Sequence, residues 1–579
     1  MAETTRHCSD TDSRRDAAAG FIAELKAIVG DRHVLSDARA KRRYEVGFRY
    51  GGGPALAVVS PATLIELWRV LGCCVAANKI IIMQAANTGL TGGSTPFGDD
   101  YDREVVLINA MRIAKIHIIE EGRQVICLPG ATLYQLEEVL KKYGREPHSV
   151  IGSSCIGASV MGGICNNSGG SLVRRGPAYT QLAIFARLDT GGQLRLVNHL
   201  NVDLGQEPEE ILARLESGEF AARDIGNDPD LHGSDHDYIH RVRKIEDDRP
   251  ARYNADAGRL FEASGSAGKL ALFAVRLDTF PAEDDTKVFY VGTNAPQVLT
   301  RIRRHILEEF ENLPVSGEYI HREAFNVAEQ YGKDTFLAIQ ILGSSRLPRL
   351  FSFKAGFEAF LERVGLPSTG LSDKLLQGMS RLFPKHLPRR MTNFRDRFEH
   401  HLILKMAGNG IAEAAAYLKT IFPSPDSDFF ECTAAEGAQA FLHRFAVAGA
   451  AIRFRSVRSR DVEDIVALDI ALRRNDREWQ ERLPENLRSQ LCHVLYYGHF
   501  LCHVFHQDYI VRKGCDLAIV KAQLCQMQDQ RGAEYPAEHN VGHLYQAKPG
   551  LAEFYRRLDP CNQFNPGIGQ TSKCAHWRV

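Results

Sequence analysis

Asn87-Thr-Gly-Leu-Thr-Gly-Gly-Ser-Thr-Pro96 and, further along, Ile151-Gly-Ser-Ser-Cys-Ile-Gly-Ala-Ser-Val-Met-Gly-Gly-Ile-Cys-Asn-Asn-Ser-Gly-Gly170 consist almost wholly of small residues. With side chains this short, a ligand can reach the backbone, and successive N–H groups and hydroxyls can hold phosphate without lysine or arginine. Two such loops in one domain predict a long, phosphate-bearing ligand, for which a dinucleotide is the natural choice. Neither loop carries the GxGxxG spacing of a Rossmann turn or the GxxxxGK[ST] of a nucleotide-hydrolysing loop, which disfavours NAD on a Rossmann unit. Gly408-Asn-Gly410 lacks the third glycine and reads as a turn between helical segments.

Around the loops, strand and helix patterns alternate. Ala55–Ser60, Lys79–Gln84, Glu104–Asn109, Lys115–Ile119 and Gln124–Pro129 read as strands. Leu64, Leu67, Trp68 and Leu71 recur at helical spacing after Pro61, and Gly130–Gly144 is an amphipathic helix ending at glycine. A later apolar strand, Leu270–Asp278, follows the turn Ser264–Gly268, while the polar, acidic stretch Asp203–Asp256 reads as a surface loop. The fold class is α+β.

The chain has 579 residues, enough for two or more domains, and 44% hydrophobic with 25% charged residues is the balance of a globular enzyme. Lys and Arg total 71, as do Asp and Glu, so no global charge points to nucleic acid. Met1–Gly20 has no apolar core of a signal peptide, and no stretch approaches the apolar run of a membrane span. The thirteen cysteines show no metal or disulfide spacing and read as reduced thiols. Charge is nonetheless local: Ser344–Arg395 holds ten basic residues against three acidic ones, interleaved with Leu and Phe. That composition fits either an anionic lipid surface or the basic face of a helical domain.

His499, His503 and His506 lie four and three residues apart, and Glu538-His539 follows. In a strand His499 and His503 would share a face; in a helix all three would cluster. Two histidines and a glutamate can hold Zn²⁺ or Mn²⁺, though such clusters also occur as ordinary packing. Glu399-His400-His401 reads as a solvated helix face. A metal-dependent hydrolase, with the glycine loops as mere turns, and a non-catalytic membrane-binding module are the rivals to an oxidoreductase.

Gln84–Pro96, Arg145–Ser159, Gly162–Gly170, Tyr496–Phe500, Tyr535–Tyr545 and Asn565–Gly569 together resemble the vanillyl-alcohol-oxidase/p-cresol-methylhydroxylase flavoprotein superfamily. Within it, the similarity is to the bacterial quinone-dependent respiratory D-lactate dehydrogenases. The resemblance implies a two-subdomain FAD-binding domain (residues 1–277, completed by 530–579) and an α+β cap domain (278–343 and 396–529). A basic helical membrane-surface segment at 344–395 would interrupt the cap. It implies dissociable FAD touched by Ala85, Ala86, Asn87, Thr88, Gly89, Gly93, Ser94, Gly152, Ser159 and Gly169, with Ala271 on the adenine side. D-lactate would become pyruvate, with His539 as base and ubiquinone or menaquinone accepting the electrons; a bound metal would acidify the hydroxyl, and without one Arg395 and Lys405 are the candidates to hold the carboxylate and polarise the site. Relatives acting on D-2-hydroxy acids carry a motif HxGDGNxH, whose two histidines are metal ligands, and a later Glu-His pair that supplies a third ligand and the base. His499, His506 and Glu538 match it in spacing, but the intervening residues here are Leu-Cys-His-Val, which leaves the metal open. The expected place is the cytoplasmic face of the inner membrane, peripherally attached to anionic phospholipid. Another D-2-hydroxy acid, such as 2-hydroxyglutarate or glycolate, is the alternative substrate.

Overall fold

The computed structural model describes residues 2–148, 157–342, 371–380 and 385–578. Its first sheet has the order Val34–Leu35, Ala57–Val59, Val105–Asn109, Ile80–Gln84, the last three strands parallel. Parallel strands buried on both faces become continuous apolar runs, as Ile80–Ile82 and Val105–Ile108 do here. The crossover between two of them is the helix Leu64–Ala76, started by Thr63, whose Oγ1 accepts from the Glu66 N–H at 3.0 Å. Phe21, Leu25 and Val29, one helical turn apart on Ala2–Val29, cover the same core.

A second, antiparallel sheet runs Ile116–Ile119, Gln124–Cys127, Ala271–Asp278, Ala183–Leu188, Leu194–Asn198. Leu67, Ile81 and Val106 from the first sheet's layer meet Ile126, Ala271 and Phe273 from the second in one apolar cluster. The third sheet is antiparallel, with seven strands in the order Ser427–Glu431, Thr286–Thr293, His400–Ala407, Ser316–His321, Leu491–His499, Val504–Arg512, Val462–Ala471. Helices Arg322–Tyr331, Arg389–Arg397 and Ala434–Val457 contribute Phe325, Phe394 and Val447 to the core on one of its faces.

The chain's end returns to the first sheet. The Ile81 N–H donates to Gln563 and the Asn565 N–H donates to the Ile81 carbonyl, each at 2.9 Å. The Asn565 side-chain amide then donates to the carbonyls of Gly93 (2.9 Å) and Ala267 (2.8 Å), tying the first small-residue loop to the turn before the central strand.

Three local readings need correction. Asp203–Asp256 contains the helices Pro208–Ser217 and Tyr238–Arg243; Pro208 opens the first, Gly218 closes it, and Ile211, Leu212 and Leu215 are buried. Gly408–Gly410 joins a strand to the helix Gly410–Ile421 rather than two helices. Glu399-His400-His401 is no solvated helix: His400 and His401 open an inner strand and are fully buried. Of the basic stretch Ser344–Arg395, helices Leu371–Ser380 and Arg389–Arg397 are described; residues 344–370 and 381–384 lie outside the described residues. No helix among the described residues is long and apolar enough to cross a membrane.

Candidate active site

The first loop leaves the strand Ile80–Gln84 and is held open by polar crossbraces. Gln84 donates to the carbonyls of Tyr44 and Ser94, and Asn87 donates to Val46, all at 2.9 Å, while Ser94 donates to the Asn87 side chain at 2.8 Å. Gly92 takes φ +76°, and a Cβ there would stand 2.7 Å from the Tyr50 carbonyl, so only glycine fits. Among the described residues, no acceptor meets the backbone N–H groups of Thr88, Gly89, Leu90, Gly92 or Gly93. At Gly89 an added Cβ would meet nothing within 4 Å. A row of free N–H groups on an open small-residue loop suits a diphosphate. Asn565 Oδ1, buried and without a hydrogen-bond partner among the described residues, adds an unspent polar atom beside it. These features fit FAD.

Ser159 caps the helix Val160–Cys165, its Oγ accepting from the Gly162 N–H at 3.0 Å. Past that helix, Gly169 lies against Glu538: a Cβ there would stand 2.7 Å from the Glu538 Cδ and 2.8 Å from its Cγ. Asn540 clasps both loops. Its Nδ2 donates to Asn166 at 2.6 Å, and a Cβ on Gly93 would come within 2.7 Å of its Oδ1. Ala271 is fully buried at the start of the central strand, in the layer between the two sheets. Gly152 lies outside the described residues.

His499, His506 and Glu538 bring one ligand atom each within 4.8 Å of one another. Neither a single strand nor a helix does this. His499 ends one strand, the turn Phe500–Cys502 reverses the chain, and His506 sits on the next strand opposite Tyr497. The two imidazoles are therefore diagonal neighbours on one face of a hairpin, with ring centroids 5.3 Å apart. His503, at the turn with φ +56°, points instead to the Arg473 carbonyl at 3.1 Å. Glu538 Oε2 is 3.2 Å from His499 Nε2 and 3.7 Å from His506 Nε2. Donors on a tetrahedral ion with bonds of about 2.1 Å are roughly 3.4 Å apart, close to the two separations measured from Glu538.

Each imidazole is oriented from behind. His499 Nδ1 stands 2.6 Å from Glu318 Oε1, and His506 Nδ1 3.3 Å from Asp469 Oδ1. Supporting groups of this kind fix which imidazole nitrogen is left to face a metal. Asp469 also accepts from the Glu538 N–H at 2.6 Å and lies 3.7 Å from His539 Nε2. Arg252 donates to Glu538 Oε1 at 2.7 Å and to the Gly170 carbonyl, and Arg444 pairs with Glu318 at 2.7 Å.

The electrostatics follow. Burial alone would lower the His499 pKa, but Glu318 and Glu538 outweigh it and raise it to about 10. Burial would raise the Glu538 carboxyl; His499 and Arg252 hold it well below the usual range. Without a metal, a proton on His499 satisfies the two carboxylates. Burial lowers the His539 pKa, only partly countered by Asp469, so its imidazole is neutral at pH 7 and can accept a proton.

Lys405 lies across from Ser316 and therefore on the same sheet face as Glu318, two residues along. Arg395 is not brought to the trio: Glu329 (2.5 Å), Asp396 (2.6 Å) and Asn326 (2.9 Å) engage its guanidinium. Arg49 belongs to none of the sequence motifs. It is exposed, and its charge acts on Tyr497, Asp508 and His539. Glu318, Asp469, Arg252 and Arg444 were equally invisible, since each is a lone polar residue far from the motifs.

The chain is similar to known proteins over nearly its whole length. Residues 288–577 match the family described as D-lactate dehydrogenase, membrane binding, and residues 55–195 match the FAD binding domain. The chain is 60% identical to the quinone-dependent D-lactate dehydrogenase of Escherichia coli, over 96% of this chain and 98% of that one. It is 56% identical to the protein of the same name from Haemophilus influenzae, over 96% and 99%. Among solved structures it resembles p-cresol methylhydroxylase with substrate bound, at 11% identity, with a TM-score of 0.56 over 96% of this chain and 97% of that one. At that identity the likeness concerns the fold.

Proposed function

The chain belongs to the quinone-dependent D-lactate dehydrogenase family, and from that premise we propose how its residues work. The protein is an FAD-dependent enzyme that oxidises D-lactate to pyruvate and passes the electrons to quinone, and it is a peripheral membrane protein.

Oxidising a 2-hydroxy acid removes a hydride from C2 and a proton from the hydroxyl. Bound FAD supplies the hydride acceptor; Ala85–Gly89, Gly93 and Ser94 would hold its diphosphate side, with Ser159, Gly169 and Ala271 lining the rest. His499, His506 and Glu538 would hold a divalent ion, whose charge acidifies the hydroxyl. His539, neutral and beside Asp469, takes the hydroxyl proton at Nε2; Asp469 stabilises the imidazolium that forms. Lys405 and Arg49 hold the substrate carboxylate, in place of the ion-paired Arg395. Arg252 keeps Glu538 ionised and turned toward the imidazoles.

One observation carries this reading: Glu538 lies directly on Gly169 of the flavin-side loop and also completes the imidazole trio, so cofactor and metal shell share one wall. The test is His539→Ala. Turnover of D-lactate with a dye acceptor should fall at least a hundredfold with flavin retained; unchanged turnover removes His539 from the mechanism. Side-by-side turnover of D-lactate, 2-hydroxyglutarate and glycolate tests the substrate.

The basic stretch 344–395 would hold the enzyme on anionic phospholipid at the cytoplasmic face of the inner membrane, where ubiquinone or menaquinone is at hand. Sedimentation with anionic and neutral vesicles tests this; equal partition to both would refute it.

A further inference from the structure

The D-lactate site leaves one group of polar side chains unused. Between the seven-stranded sheet and its helices, three imidazoles are buried among aromatic rings: His401 at 0%, His443 at 1% and His386 at 8% exposure. The Phe325 ring lies 4.1 Å from His443 and 5.8 Å from His401, centroid to centroid. Phe336 lies 4.6 Å from His386, Tyr290 5.7 Å from His401, and His386 6.3 Å from His443.

Both nitrogens of His401 and Nε2 of His386 have no hydrogen-bond partner among the described residues. The nitrogens of His443 lack one too, apart from the Phe325 backbone carbonyl, whose hydrogen bond acts against burial to raise the ring's pKa. Burial lowers all three pKa values, to about 4 for His386 and about 3 for the others, so each ring is neutral, with one N–H to give and one bare nitrogen. Unsatisfied groups of this kind inside an apolar wall call for a partner.

We propose that His386, His401 and His443, walled by Phe325, Phe336 and Tyr290, receive the head group of the membrane quinone. This rests on the functional reading above, which makes a quinone the acceptor. A quinone ring is flat and apolar and carries two carbonyl acceptors, which the imidazole N–H groups can meet; the quinol's hydroxyls can donate to the bare nitrogens. The place also connects both ends of the electron path. His386 belongs to the basic stretch read as lipid-facing. His443 adjoins Arg444, which pairs with Glu318 at 2.7 Å, which lies 2.6 Å from His499. In the step itself the reduced flavin gives two electrons and two protons, and the quinone takes all four to become the quinol. The imidazoles position the ring and exchange no net proton.

The experiment uses the flavin-loaded full chain with short-chain ubiquinone and menaquinone analogues, against a soluble dye acceptor. In His443→Leu, and separately in His386→Leu, the ratio of quinone to dye turnover should fall at least tenfold through a raised KM for quinone. A ratio within twofold of the unaltered enzyme in both variants overturns the assignment. So does a parallel loss with both acceptors, which marks a structural role. Photolabelling of the unaltered enzyme with an azido-quinone should mark the peptides bearing His386, His401 or His443; labelling elsewhere alone also overturns it. An unaltered enzyme that turns over D-lactate with dye but never with quinone defeats the functional reading itself, an outcome distinct from these.

Discussion

Replacing Gly169 with alanine isolates the wall shared by the flavin loop and the imidazole trio. The added Cβ would stand 2.7 Å from the Glu538 Cδ and 2.8 Å from its Cγ, against about 3.4 Å for an ordinary close contact. Relief therefore requires a movement of roughly 0.6 Å or more, directed away from the loop. Glu538 cannot swing freely, because Arg252 holds one oxygen at 2.7 Å, His499 the other at 3.2 Å, and Asp469 the backbone N–H at 2.6 Å. Such a shift stretches at least one of the charged contacts, and misplacing a catalytic group by about 1 Å can cost roughly a hundredfold. Gly169→Ala should accordingly lose about ten- to a hundredfold in kcat with D-lactate and dye. Flavin absorbance, measured on the same preparation, reports whether the cofactor is retained. Turnover within threefold of the unaltered enzyme, with flavin bound, would show that Glu538 does not work from this position.

Three further outcomes follow from the same geometry. Glu538→Gln should weaken divalent-metal binding at least tenfold, read by equilibrium dialysis with zinc or manganese, because one anionic ligand is lost; unchanged binding would exclude the trio as the metal shell. Asp247 is held at about pKa 2, first by its hydrogen bonds from Arg249 and then, against burial, by Arg474. Its folded value is depressed, so its stabilisation is full above about pH 4 and is lost as pH falls through 2; with solvent screening it is worth about 1 kcal/mol. Asp247→Asn should therefore be less stable to urea at pH 7 and nearly equal to the unaltered protein at pH 2; a constant difference would refute the ion-pair origin. Vesicle binding should fall steeply between low and high salt, since about 1 kcal/mol per basic residue near an anionic leaflet is screened by ions.

Much of the flavin-binding half was legible residue by residue. Ile80–Met83 and Val105–Ile108 are continuous apolar runs in parallel strands buried on both faces, and that pattern is written locally. The helix Pro208–Ser217 carries its own local signals, proline at its start and glycine after its end, inside a stretch whose overall composition is that of a polar surface loop. His400 and His401 misled for a different reason. Histidine carries no fixed preference for surface or core, and only the neighbouring strands and helices bury them.

What the sequence settled alone was the presence of two small-residue loops, the strands that carry them, and the residue types able to hold a dinucleotide and a metal. These are local properties, since backbone access, strand period and donor chemistry depend on a residue and its immediate neighbours. Tertiary structure decided which of those residues meet. A hairpin placed His499 diagonally from His506; Glu318 and Asp469 reached them from separate strands; Arg252 fixed Glu538, and Arg395 was drawn into an ion pair. Such meetings depend on cross-strand register and on which sheet face a side chain occupies, and contacts between residues hundreds of positions apart leave no trace in local pattern.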